Sequence, residues 1–299
     1  MIFCYNEQME NKKIILVTGG AGFIGSHLIE ELVKDKNNQV ISLDNYFTGS
    51  KDNHIAGVEY IEGHTKDIAE LITVKPDIVY HLGEYSRPLT SFEDIDLVWD
   101  LNVKGTFNVL NFCKKNNIRL IYAGSSTKFG EFSDREGEGR DQSPYAYFKA
   151  ANTDLVNNYG DWFDLDYAIT YFYNVSGGRE IRTGKYATLI GIYIDKKQKG
   201  EKLSVYGSGE QKRAFTHIDD IVRGLILVGE KGKGDGHCIG TEKNYSILDI
   251  AKMFGGEIEM LPGKKGDRNF SKIDLTKMKE LGWTAQIDIK DYVKSFIDK

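Results

Sequence analysis

Cysteine is scarce: only Cys4, Cys113 and Cys238 occur in 299 residues. Their number is odd, they stand far apart and no metal-ligand spacing joins them. That argues against a disulfide framework and a metal module, and it fits a reducing cytoplasm. Long apolar runs are also missing; the longest are strand-sized, far short of the ~20 residues of a membrane-crossing helix. No long basic stretch accompanies the formal net charge of −5, so nucleic acid is not an expected partner. Internal repeats and low-complexity segments are absent as well. The opening Met1-Ile2-Phe3-Cys4-Tyr5-Asn6-Glu7-Gln8 lacks the basic start and apolar stretch of a signal peptide. Met9-Glu10-Asn11-Lys12-Lys13 is the more natural lead into the apolar run at Ile14, so the first eight residues read as a frayed extension or an upstream start.

What the chain does have is a regular alternation. Ile14-Ile15-Leu16-Val17, Val40-Ile41-Ser42-Leu43, Val58-Glu59-Tyr60-Ile61, Asp77-Ile78-Val79-Tyr80-His81-Leu82, Leu120-Ile121-Tyr122-Ala123 and Ala168-Ile169-Thr170-Tyr171-Phe172 read as strands. Between them Ile24, Leu28, Leu32 and Val33, and later Val103, Phe107 and Leu110, repeat at helical spacing. Strands alternating with helices predict an α/β fold, a doubly wound parallel sheet whose ligands bind at the carboxyl ends of the strands. Past Phe172 the pattern loosens. Leu203-Ser204-Val205-Tyr206-Gly207 reads as a short strand, 218–228 is apolar enough to rejoin the main core, and Met278-Lys279-Glu280-Leu281-Gly282-Trp283 is a short helix with a glycine stop. The expected division is a dinucleotide-binding domain at 9–172, rejoined by part of 213–240, and a smaller interleaved substrate domain at 173–299.

The turn Thr18-Gly19-Gly20-Ala21-Gly22-Phe23-Ile24-Gly25 comes after the first strand and opens the first helix. Gly19, Gly22 and Gly25 allow a tight turn and a close approach of backbone to a pyrophosphate, which the helix's free N–H groups then bind. An acid, Asp44, ends the second strand, placed to accept the adenosine ribose hydroxyls. Its carboxylate would repel a 2′-phosphate, and Asn45 and Tyr46 bring no arginine. The expected cofactor is therefore NAD.

Tyr145 and Lys149 stand i, i+4 and share a helix face. A phenol of pKa about 10 is a poor base at neutral pH; bringing it near 7 takes about 4 kcal/mol. A neighbouring ammonium and an oxidised nicotinamide both favour the phenolate. Ser125, at the end of its strand, can bond the same substrate oxygen, so Tyr145 takes a hydroxyl proton while the ring takes the hydride.

This ordered set resembles the extended short-chain dehydrogenase/reductase family, in its NAD-dependent nucleotide-sugar epimerase/dehydratase branch. The likeness runs from Lys13 onward. It rests on the glycine turn, Asp44-Asn45, His81-Leu82-Gly83, Asn102-Val103-Lys104-Gly105-Thr106, Ser125, Tyr145 with Lys149, Asn174, Gln211-Lys212-Arg213-Ala214-Phe215 and Asp219-Asp220. The resemblance implies that Gly19, Gly22, Phe23, Ile24, Gly25, Asp44, Asn45, His64, Thr65, Leu82, Gly83, Ser86, Asn102, Tyr145, Lys149 and Phe172 contact NAD. It implies catalysis by Ser125, Tyr145 and Lys149, with Ser125 also touching substrate. Asn174 and Arg213 would hold a nucleotide sugar's diphosphate, Lys264 stands where a second cation is usual, and Leu203, Val205 and Tyr206 would line the nucleotide end. It implies a homodimer paired through the helices around 102–114 and 145–159.

Several positions depart from the family pattern. His64 stands where an aspartate often meets adenine, and Glu84-Tyr85-Ser86-Arg87 replaces a run of small residues beside the nicotinamide. Arg87 could reach a substrate group or face solvent. Ser176, Gly178 and Ala214 replace Tyr, Pro and Asp near the sugar. Ser126-Thr127 stands where the branch's dehydratases carry Asp-Glu, and hydroxyls cannot act as acid and base near neutral pH, which disfavours dehydration. The expected reaction is 4-epimerisation of a UDP-hexose. NAD takes the C4 hydride while Tyr145 takes the proton, the 4-keto sugar swings, and the hydride returns to the other face. Alternatives are a nucleotide-sugar 4-reductase or 4-dehydrogenase and, from another class, a non-catalytic NAD-binding sensor or scaffold; intact Ser125, Tyr145 and Lys149 speak against the last. No metal site is expected: His27, His81 and His217 read as core or supporting residues. The polar stretch 131–141 reads as a mobile loop or a lid.

Overall fold

A computed structural model describes residues 12–129, 142–263 and 273–297. The chain start, the stretch 131–141 and Lys264 lie outside the described residues. Six strands come in chain order: β1 (Lys13–Thr18), β2 (Asn38–Asp44), β3 (Glu59–Glu62), β4 (Ile78–His81), β5 (Arg119–Ser125) and β6 (Tyr167–Phe172). A seventh, Gly234–Ile239, arrives much later and pairs with β6. The spatial order is Gly234–Ile239, β6, β5, β4, β1, β2, β3, and each neighbouring pair is parallel. Parallel strands covered on both faces need continuous apolar runs. Accordingly β4 is buried throughout, and β1 over its last four residues.

After β1 the chain adds β2 and β3 on one side, then crosses to place β4 on the other. The crevice of such a sheet opens where the winding reverses, here at the carboxyl ends of β1 and β4. Gly19 ends β1 with φ +71°, and a Cβ there would stand 2.8 Å from Gly83 Cα, so the two loops close on each other with no room for a side chain. A Cβ on Gly25 would collide with the carbonyl of Gly19. Helix α1 (Phe23–Leu32) starts on this turn and buries Leu28, Ile29 and Leu32 against the sheet.

Two apolar clusters account for most of the packing. The larger joins the sheet to the helix Ile218–Lys231 and reaches Met278 and Trp283. The smaller gathers Ile190, Tyr193, Leu203, Val205, Ile250, Phe254 and Val293. No helix among the described residues is long and apolar enough to cross a membrane.

Glu180 ties the segment after Asn174 to the last helix, Ile289–Ile297. Its carboxylate accepts the Gly177 N–H at 3.1 Å and the Tyr292 hydroxyl at 3.0 Å. Burial pushes its pKa up from 4.5 to about 7. The folded protein therefore holds this proton more tightly than the unfolded chain does. The contribution is complete below the unfolded value and is lost as pH rises through the folded one, by about 3 kcal/mol. Glu180→Gln is expected to melt higher than wild type at about pH 8 and with little advantage at about pH 5. An unchanged difference across that range in a thermal-melt series would contradict the assignment.

Candidate active site

The crevice is a cleft of about 850 Å³ whose wall includes Gly19, Gly22 and Gly25 as well as Tyr206, Gln211 and Arg213. Phe23, Ile24, Asp44, Asn45, Leu82, Gly83, Ser86 and Phe172 also line it. Asp44 is fixed twice, accepting from Ala21 N at 2.9 Å and Tyr46 N at 2.8 Å. Burial pushes its carboxyl pKa up, opposed by those N–H bonds. It therefore both braces the glycine turn and faces the cleft.

Helix Pro144–Phe163 begins with Ser143, whose hydroxyl accepts the Ala146 N–H at 3.1 Å; proline at its first position suits a site where no N–H is needed. The helix then presents Tyr145 and Lys149 to the cleft. The Tyr145 hydroxyl donates to Ser125 Oγ at 3.2 Å. Thr127 donates to the same atom from its hydroxyl at 2.9 Å and its backbone N–H at 3.2 Å. Tyr145 and Ser125 thus meet in the cleft that Lys149 also lines, with Thr127 orienting the serine.

Lys149 brings a correction to the electrostatics. Its ammonium donates to Glu84 Oε2, to Tyr122 Oη at 2.9 Å and to the carbonyl of Ala123. Lys149 and Glu84 side chains are each 4% exposed. The lysine is not a bare cation beside the phenol; Glu84 balances it. Burial pushes the lysine's pKa down and Glu84 holds it up. Glu84 Oε1 accepts in turn from Thr106 Oγ1 at 2.9 Å, Tyr122 Oη at 3.2 Å and Asn152 Nδ2 at 3.2 Å. Thr106 also touches His81 Nε2 at 3.1 Å, whose Nδ1 stands 2.7 Å from Thr18 Oγ1. Burial drives the His81 pKa down to about 4, so the ring is neutral. Since Thr106 donates to Glu84, the bond pattern assigns the His81 proton to Nε2. Glu84 was visible in the sequence as an intruder among small residues, but its partner lies 65 residues away.

Other expected contacts fall differently. Leu203 and Val205 do not line the cleft: alternation along the strand Leu203–Tyr206 turns both into the smaller core, and Ser204 and Tyr206 face the cleft instead. His64 and Thr65 do not line it either. His64 Nε2 lies 3.1 Å from Asp100, and Thr65 is buried against Gly105. Asn102 is buried behind the site, where its amide accepts from Tyr85 N at 2.7 Å and donates to Tyr85 O at 3.0 Å, fixing the loop that carries Glu84. Asn174 lines the cleft in a left-handed turn, φ +36°, with Nδ2 on Ala214 O at 2.9 Å. Arg213 also lines it.

The cleft suits a dinucleotide: a tight glycine turn, a helix start and a buried carboxylate at the end of β2 occur together. The chain matches the model of the NAD dependent epimerase/dehydratase family over residues 15–240. A Methanocaldococcus jannaschii protein, provisionally named a UDP-glucose 4-epimerase, is 32% identical over 300 residues, covering 95% of this chain and 97% of that protein. UDP-glucuronic acid decarboxylase 6 of Arabidopsis thaliana is 30% identical over 296 residues, covering 93% of this chain and 85% of that one. Among solved structures, UDP-glucose 4-epimerase of Thermotoga maritima with UDP-glucose superposes at a TM-score of 0.87 and 26% identity, covering 95% of this chain and 97% of that one.

Proposed function

Because the chain belongs to the NAD-dependent epimerase/dehydratase family, we propose that it inverts C4 of a UDP-hexose through a transient 4-keto sugar. The hydrogen bond of 3.2 Å between Tyr145 and Ser125, inside a cleft headed by the glycine turn, carries this reading. NAD, when bound, supplies reversible oxidation at the sugar's C4. Gly19, Gly22 and Gly25 would let the backbone near its pyrophosphate, and the N–H groups of Phe23 and Ile24 at the helix start would bind it. Asp44 and Asn45 would hold the adenosine ribose, and Leu82, Gly83, Ser86 and Phe172 would contact the nicotinamide part. Asn174, Tyr206 and Arg213 hold the substrate's diphosphate and nucleotide. Tyr145, as phenolate, accepts the C4 hydroxyl proton and later returns it, while Ser125 positions the same oxygen.

Ser126 and Thr127 support epimerisation over loss of water, since neither can act as a neutral-pH acid or base at C5 and C6. The test is incubation with UDP-glucose and chromatography of the product. UDP-galactose without lasting change in nicotinamide absorbance is expected; a change equal to product would identify a 4-reductase or 4-dehydrogenase. The Arabidopsis relative favours a second reading, decarboxylation, identified by CO₂ and a UDP-pentose from UDP-glucuronate.

We also take a second copy of the chain as partner. Ile95 and Trp99 stand i, i+4 and exposed, with Phe107 and Tyr147 exposed on the helices Gly105–Asn116 and Pro144–Phe163. Apolar patches of this kind mark association surfaces. Light scattering at twice the monomer mass is the expected result.

A further inference from the structure

Arg87 is a cation in the wall of the cleft with no counter-charge among the described residues. Its Nε–H donates to the carbonyl of Tyr186 at 2.7 Å, and Nη1 donates to Ser86 O at 3.0 Å and Ser86 Oγ at 2.9 Å. Nη2 has no partner among the described residues. The acids along the same loop are taken: Glu84 by Lys149, and Asp94 by Lys185 at 2.8 Å with the hydroxyls of Tyr85 and Tyr186. Burial pushes the guanidinium's pKa down, and only Tyr145 and Tyr85 work the other way. A half-buried cation without a counter-charge costs free energy that a ligand's anion can return.

Its surroundings differ from those of Arg213. Tyr85, Tyr145 and Tyr186 form one cluster; Arg87 bonds the backbone carbonyl of Tyr186 and interacts electrostatically with Tyr145 and Tyr85. Arg213 lies on another element, the strand Lys212–Ala214. We propose that Arg87 receives a carboxylate carried on the sugar ring, so that the substrate class is a nucleoside-diphosphate hexuronate. The assignment rests on the nucleotide-sugar reading above and narrows it. A planar guanidinium offering its remaining N–H donors matches a carboxylate better than it matches a neutral hydroxymethyl group.

The test is calorimetric titration of the purified, NAD-loaded protein with UDP, UDP-glucose and UDP-glucuronate, for wild type, Arg87→Met and Arg87→Lys. Wild type is expected to bind UDP-glucuronate about tenfold or more above UDP-glucose, as one charge-assisted bond pair supplies. Arg87→Met should erase that preference and leave UDP affinity within about twofold; Arg87→Lys should keep part of it. Equal affinity of wild type for the two sugars overturns the proposal and leaves the epimerase reading standing. So does equal weakening of all three ligands in Arg87→Met, which would place the guanidinium on the diphosphate. Selective binding of UDP-glucuronate with no chemistry at C4 keeps the assignment and sinks the epimerase reading. Failure of wild type to bind UDP refutes both.

Discussion

Tyr145→Phe is expected to lower turnover by about 10²- to 10⁴-fold, the usual worth of a positioned proton-transfer group, while the protein stays folded and loaded with NAD. Phenylalanine keeps the ring that packs with Tyr85, Val98 and Leu101 and removes the oxygen that meets Ser125. Helix Pro144–Phe163 retains its Ser143 cap, and the Tyr145 N–H still reaches Ser91 Oγ at 3.3 Å. Nucleotide released on denaturation should equal that of wild type. Turnover within a few-fold of wild type would remove Tyr145 from the mechanism. Loss of NAD together with activity would make it a structural residue instead.

Glu84→Gln is the second substitution with a large expected effect, and it acts on stability. Removing one partner of a buried ion pair leaves the other charge uncompensated, at a cost of about 3–5 kcal/mol, a fall in melting temperature on the order of 10 °C. Glutamine preserves the shape and can still accept from Thr106, so lost charge rather than lost volume is what the melt reports. The sign of its pH dependence is set by Lys149. Burial already holds that pKa below the ordinary value, and Glu84 opposes the fall. Without Glu84 it drops further, so the variant's deficit narrows as pH rises and the lysine sheds its proton. A Lys149→Met partner substitution should recover much of the loss in a double-mutant cycle. A deficit independent of both pH and Lys149 would show that the two side chains do not act as a pair.

The sheet was legible because each strand is short, apolar and bounded. Ile14-Ile15-Leu16-Val17 lies inside β1, and Leu120-Ile121-Tyr122-Ala123 inside β5. The Gly234–Ile239 strand was not, since Gly-Asp-Gly-His-Cys-Ile has neither alternation nor a continuous apolar run. In the site, the glycine turn and Asp44 are local patterns with one geometric meaning, as is the i, i+4 spacing of Tyr145 and Lys149. Leu203 and Val205 were misplaced because alternation separates two faces without saying which one the ligand meets. His64 and Asn102 show another limit: a family position fixes a backbone site, whereas its side chain answers to neighbours such as Asp100 and Tyr85. The Glu84–Lys149 pair and the surroundings of Arg87 depend on contacts between distant segments, which no window of sequence displays.

The late return of Gly234–Ile239 to β6 bears on how the molecule is made. As the chain leaves the ribosome, β6 emerges as the border of an unfinished sheet and stays bare until the strand Gly234–Ile239 has been translated. A bare border of this kind is where foreign chains add on. The sheet is thus completed only by chain translated long after β6, and severing the gene near residue 172 would yield a sticky fragment with that border bare.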